Sequence, residues 1–172
     1  INVNATHPSG WRIRADTASA TINSNLLHQG SLNVNGGFVI LDGTTGSIGD
    51  SVHVSVAAGA QLRVTRTDTI GSLHGAGSLV LDSGEDLILT SAPQAGINTA
   101  TWSGTSSGGG NLILTERTRL RMSSNQGYTG RTDVSGASSL ILNYSGAGVN
   151  NIIPGELRLA GANLFLEGGS AS

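Results

Sequence analysis

Thr69-Ile70-Gly71-Ser72-Leu73-His74-Gly75-Ala76-Gly77-Ser78-Leu79-Val80-Leu81 sets two short apolar segments on either side of a glycine turn, and the same phrase recurs along the chain. It returns upstream as GSLNVNGGFVILDG (Gly30–Gly43) and downstream as GELRLAGANLFLEG (Gly155–Gly168). Between them stand EDLILT (Glu85–Thr90), GGNLILT (Gly109–Thr115) and SSLIL (Ser138–Leu142). Each apolar burst is too short to bury its own face. Segments of this kind become stable by stacking on copies of themselves, which is the physics of a solenoid.

Working outward, strand patterns of period two fall at Trp11–Arg14, Ser31–Val34, Phe38–Leu41, Ser51–Val56, Gln61–Val64 and Ser78–Leu81. They continue at Asp86–Leu89, Asn111–Leu114, Thr118–Met122, Ser139–Leu142, Glu156–Leu159 and Asn163–Leu166. Gly, Asn, Asp or Ser bounds each one, residues that accept tight turns and positive φ. No stretch keeps the i, i+3, i+4, i+7 spacing of an amphipathic helix. Equivalent strands recur every ~18–25 residues, the length of one rung of a parallel β-helix. The expectation is an all-β, right-handed parallel β-helix of about seven or eight rungs spanning 1–172 as one segment, roughly 35 Å long at the inter-strand spacing. A β-sandwich also fits alternating strands and glycine turns. Internal repetition and an aromatic content of only 3% argue against it.

Composition narrows the function classes. All nine basic residues are arginine, eleven acids oppose them, and the formal net charge is −2, which gives no general attraction to nucleic acid or anionic membrane. No run reaches the ~18 apolar residues of a membrane-spanning helix. There is no cysteine, which suits an exported repeat protein. The pattern is already running at Ile1 and still running at Ser172, so a longer parent chain is expected.

Three motifs carry a family resemblance. They are Gly59-Ala60-Gln61-Leu62, the Thr69–Leu79 phrase, and Tyr128-Thr129-Gly130-Arg131-Thr132-Asp133-Val134-Ser135-Gly136. Together they resemble the autotransporter-associated β-strand repeat, also called the passenger-associated transport repeat, of bacterial autotransporter passengers. The last motif departs from the family phrase: Ala137-Ser138-Ser139 intervene before Leu140. The resemblance implies a β-helix secreted by, or displayed on, a Gram-negative bacterium beyond its outer membrane. It implies a passenger of the adhesin, aggregation or virulence-factor kind. Its implied partners are a host-surface glycan or protein, or another copy of the chain. Folding one rung at a time suits secretion through a pore, because each rung contacts only its neighbours.

The chemistry-bearing residues do not assemble into a familiar site. There is no GxSxG nucleophile motif, no glycine-rich calcium repeat and no phosphate loop. His7, His28, His53 and His74 are scattered, although two of them could meet on adjacent rungs. Asp82, Glu85 and Asp86 are the only acidic cluster, and they suit a charged turn better than a calcium site. No catalytic residue, metal or cofactor is therefore expected. The alternatives kept open are a polysaccharide-acting enzyme on the same fold and a purely structural spacer. Trp11 and Trp102 read as cap or loop anchors. One candidate binding feature remains. Arg117, Arg119 and Arg121 alternate with Thr118, Leu120 and Met122, which places the three guanidiniums on one face of one strand, suited to an anionic ligand.

Overall fold

The computed structural model describes residues 19–22, 30–44, 47–90 and 99–168. Among them are eighteen short strands and no helix. The chain climbs as β1 (Ser19–Ile22), β2 (Ser31–Val34) and β3 (Phe38–Leu41), then β4 (His53–Val56), β5 (Gln61–Val64) and β6 (Asp68–Ile70). The next circuits are β7 (Ser72–Gly75), β8 (Ser78–Leu81) and β9 (Asp86–Thr90), then β10 (Ala100–Trp102), β11 (Thr105–Gly108) and β12 (Asn111–Thr115). Then come β13 (Arg119–Met122), β14 (Gly127–Tyr128) and β15 (Thr132–Ser135), and finally β16 (Ser139–Asn143), β17 (Leu157–Ala160) and β18 (Asn163–Glu167).

Every strand pair is parallel, and the strands sort into three walls. The first wall runs β1-β3-β5-β8-β11-β14, the second β2-β4-β7-β10-β13-β16-β18, and the third β6-β9-β12-β15-β17. The result is a β-solenoid of about six turns. The larger rung count expected from the sequence included Trp11–Arg14, which lies outside the described residues. Eleven of the anticipated strands are present within a residue or two of the expected bounds. The unanticipated ones are polar or glycine-bearing, such as SLHG (β7), TSSG (β11), GY (β14) and TDVS (β15). Propensity is weak there, and pairing to the neighbouring rung decides the conformation.

Alternation fixes the inside. Leu62, Leu79, Leu112 and Leu140 point into the lumen as expected, each no more than 2% exposed. Columns of like residues run up the interior. On the third wall Ile70, Leu89, Leu114, Val134 and Leu159 are in successive register. On the second, Leu120, Leu140 and Leu164 are in register, as are Met122, Leu142 and Leu166. Trp102 is not a loop anchor: it lies on β10, fully buried among the lumen side chains. Tyr128 is buried likewise and bonds Thr132 Oγ1.

The corners explain the repeated glycines. A Cβ on Gly130 would strike the backbone oxygen of Gly110, and one on Gly155 would strike that of Gly130. These residues stack just before β12, β15 and β17, so the corner at the start of the third wall is a glycine column at backbone contact distance.

Candidate functional surfaces

The arginine triad divides. β13 starts at Arg119, and Arg117 belongs to the turn before it. Glu116 and Arg117 both have left-handed backbones, with φ of 54° and 66°. Gly136 and Ala137 repeat that turn one rung on, each at 61°, and Arg117 N–H donates to Gly136 O. Thr118 closes the corner: its buried hydroxyl bonds Leu89 O at 3.0 Å and Thr115 O at 2.6 Å. The expectation of three arginines on one strand face is corrected for this reason. Arg117 is exposed and Thr118 buried as alternation requires, but the left-handed backbone at Arg117 ends the strand one residue short of it. The same corner accounts for Ala137 and Ser138, the departure from the repeat phrase.

Arg119 and Arg121 do share the outer face of the second wall. Arg119 is exposed and has no ion pair among the described residues. Arg121 is committed: its Nη2 lies 2.7 Å from Glu167 Oε2 and its Nε 2.9 Å from the same atom. The register Arg121, Ile141, Phe165 places Ile141 on the rung that this pair bridges. Ile141 sits on the outer face and is nevertheless only 5% exposed.

Other arginines are paired along or across rungs. Arg63 makes a two-point contact with Asp82, at 3.0 Å and 2.9 Å. Arg158 does the same with Glu156, which lowers the carboxyl's pKa through the hydrogen bond and the charge of Arg158. Arg131 bonds Asp133 at 2.6 Å. The acidic cluster is dispersed in the same way. Asp82 faces Arg63, Glu85 accepts from Thr67 N–H and hydroxyl, and Asp86 accepts from Asn111. Asn111 then accepts from Arg131 N–H, so Asp86, Asn111 and Arg131 form a ladder up the third wall. Among the described residues no group of three or more His, Asp or Glu could hold a metal ion.

Two polar features gather residues that stand apart in the sequence. The first is Asp68, only 2% exposed, which accepts Ser47 N–H and Thr69 N–H at 2.9 Å each. Burial pushes its pKa up to about 6 against the pull of those hydrogen bonds. The second joins two of the scattered histidines. His53 Nδ1 lies 2.7 Å from Ser72 Oγ, His74 Nε2 lies 3.0 Å from the same oxygen, and Thr101 N–H reaches His74 Nδ1 at 3.4 Å. Burial lowers the pKa of both imidazoles, and for His74 the proximity of His53 adds to it. His7 and His28 lie outside the described residues.

On the last described rung Leu159, Leu164 and Leu166 continue interior columns and are 46%, 36% and 68% exposed, with Phe165 beside them 47% exposed. Among the described residues β17 and β18 are the terminal strands of their sheets. No helix among the described residues is long and apolar enough to cross a membrane. Comparison of the chain with protein-family models, with curated proteins and with solved structures returned no match.

Proposed function

We propose that this chain is a non-enzymatic stalk segment of a secreted or surface-displayed bacterial autotransporter-type passenger, with a self-associating, adhesive role. A stack of parallel rungs presents continuous outer walls along its whole length, and these walls carry this reading. A second copy of the chain fits as the partner, and a host-surface protein or glycan contacts the walls. The sequence resemblance of the Thr69–Leu79 and Tyr128–Gly136 motifs supports the secreted, Gram-negative setting. Right-handed winding, the sense that strand twist favours in parallel crossovers, belongs to the same proposal.

The spacer reading draws on a different observation. Arg63, Arg121, Arg131 and Arg158 are already paired with acids of the chain itself, so most of the wall's charge is internally neutralised. The enzyme reading rests on Asp82, Glu85 and Asp86, each of which makes a separate contact within the chain. The test is to display the segment on a Gram-negative surface through a fixed anchor. Increased cell settling and adherence relative to the anchor alone supports the stalk with adhesive surfaces. Unchanged settling and adherence supports the spacer. Turnover of an acidic polysaccharide, lost in Asp86→Ala, would restore the enzyme.

A further inference from the structure

We propose that Ser72, held between His53 and His74, is an acid-released latch that ties β4, β7 and β10 together on the outer face of the second wall. The three strands are consecutive in that wall, with Ser72 in register with His53 and Ser55 in register with His74.

The hydrogen bonds dictate where the protons sit. Thr101 N–H is a fixed donor, so the His74 Nδ1 that receives it carries no proton. The His74 proton is therefore on Nε2, which donates to Ser72 Oγ. Ser72 then has its own hydrogen to donate, and His53 Nδ1 accepts it. His53 is left with its proton on Nε2. The chain runs in one direction from Thr101 to His53, and it holds only while both rings are neutral. A proton added to His74 sets Nδ1–H against Thr101 N–H. A proton added to His53 turns its Nδ1 into a second donor aimed at Ser72 Oγ and displaces the serine hydrogen.

The surroundings offer a cation no compensation. From β2 the outer-face groups are Ser31 and Asn33, from β4 Ser55 beside His53, and from β10 Thr101. Beyond β10 stand Arg119 and Arg121, both positive. The carboxylates nearest along the chain are Asp50, before β4, and Asp68, which is buried on the third wall. Neither hydrogen-bonds an imidazole among the described contacts. Burial opposes the charged form of both rings. A folded-state pKa below the unfolded one gives stability that is fully present above about 6.5 and is lost as pH falls toward the folded value.

A metal could reach the pair only by displacing the serine hydrogen from His53 Nδ1 or the Thr101 N–H from His74 Nδ1, since a ligating nitrogen must be unprotonated. Near-burial of Ser72, at 8% exposure, withholds its hydroxyl from a substrate.

The test uses the intact chain. Imidazole nitrogen NMR at pH 7.5 should find the Nε2–H tautomer in both His53 and His74. Urea midpoints between pH 7.5 and 5.5 should fall further for the wild type than for a His53→Gln, His74→Gln double variant. Asp68 titrates in both proteins, so its effect drops out of that difference. Ser72→Ala keeps both rings and should raise the titration midpoint of His53, whose Nδ1 loses the serine hydrogen that stabilises its neutral form. An Nδ1–H tautomer at His74, an equal pH response in the double variant, unchanged titration in Ser72→Ala, or stabilisation by Zn²⁺ at pH 7.5 would each overturn the latch.

Discussion

Trp102 lies in register with Gly75 on the preceding rung, and Tyr128 stands in the same relation to Gly108. Each of these buried aromatics therefore has, at its in-register position below, a residue with no side chain to compete for the lumen. Truncating the larger ring should leave a cavity that the stacked walls cannot close. Trp102→Ala is expected to cost about 3–5 kcal/mol, as for other buried aromatics, read as a lowered urea midpoint with an unchanged parallel-β circular dichroism spectrum at low denaturant.

Glycines in this fold separate into two kinds with different expected penalties. Gly59 has φ of 82° and open space where a Cβ would go, so Gly59→Ala carries only the left-handed backbone penalty of about 1–2 kcal/mol. Gly130 meets backbone of the adjacent rung, and Gly75, at φ of 117°, meets Val56 O. Gly130→Ala and Gly75→Ala must separate rungs and should destabilise by several times more. Chemical denaturation of the three variants side by side checks the order.

Asp68 imposes a pH dependence of the opposite sign to that of the histidines. Its folded pKa, pushed up to about 6, lies above the unfolded carboxyl value, so the folded chain holds its proton more tightly. Stability from this group is full below about pH 4 and is lost as pH rises toward 6, with a slope of at most about 1.4 kcal/mol per pH unit. Urea midpoints from pH 4 to 7 should show that component in the wild type and lose it in Asp68→Asn. Identical pH profiles for the two proteins would refute the assignment.

An anionic polymer, if bound, should depend on Arg117 and Arg119 and not on Arg121, whose guanidinium is held by Glu167. Arg117→Glu with Arg119→Glu should abolish low-salt retention on a heparin matrix, while Arg121→Ala should leave it nearly unchanged. Exposed charges contribute little singly and fade with salt, so retention should vanish well below 1 M NaCl.

The wall architecture was legible because its signal is local. Period-two runs such as Gln61–Val64 and Asn111–Leu114 state which residues face inward. Strands such as Thr105–Gly108 were not legible, because their conformation comes from pairing with Ser78–Leu81. Arg117 was misplaced because the left-handed turn at Glu116 and Arg117 uses two ordinary residues where glycine would have signalled it. The His53, Ser72 and His74 cluster depends on a register between rungs, and rung length varies too much for spacing alone to supply it. Asp68 carries no signal in the sequence, because its burial depends on the chain at Ser47 lying beside it.

The central claim is that the segment is a self-associating stalk, and sedimentation velocity across a range of protein concentrations tests it most directly. The wild-type chain should form concentration-dependent oligomers. A Leu164→Lys, Leu166→Lys variant, which blocks stacking on the last described rung, should form them too, with the same circular dichroism. A wild type that remains monomeric at every concentration, or oligomers that are lost in the double lysine variant, would contradict association through the walls.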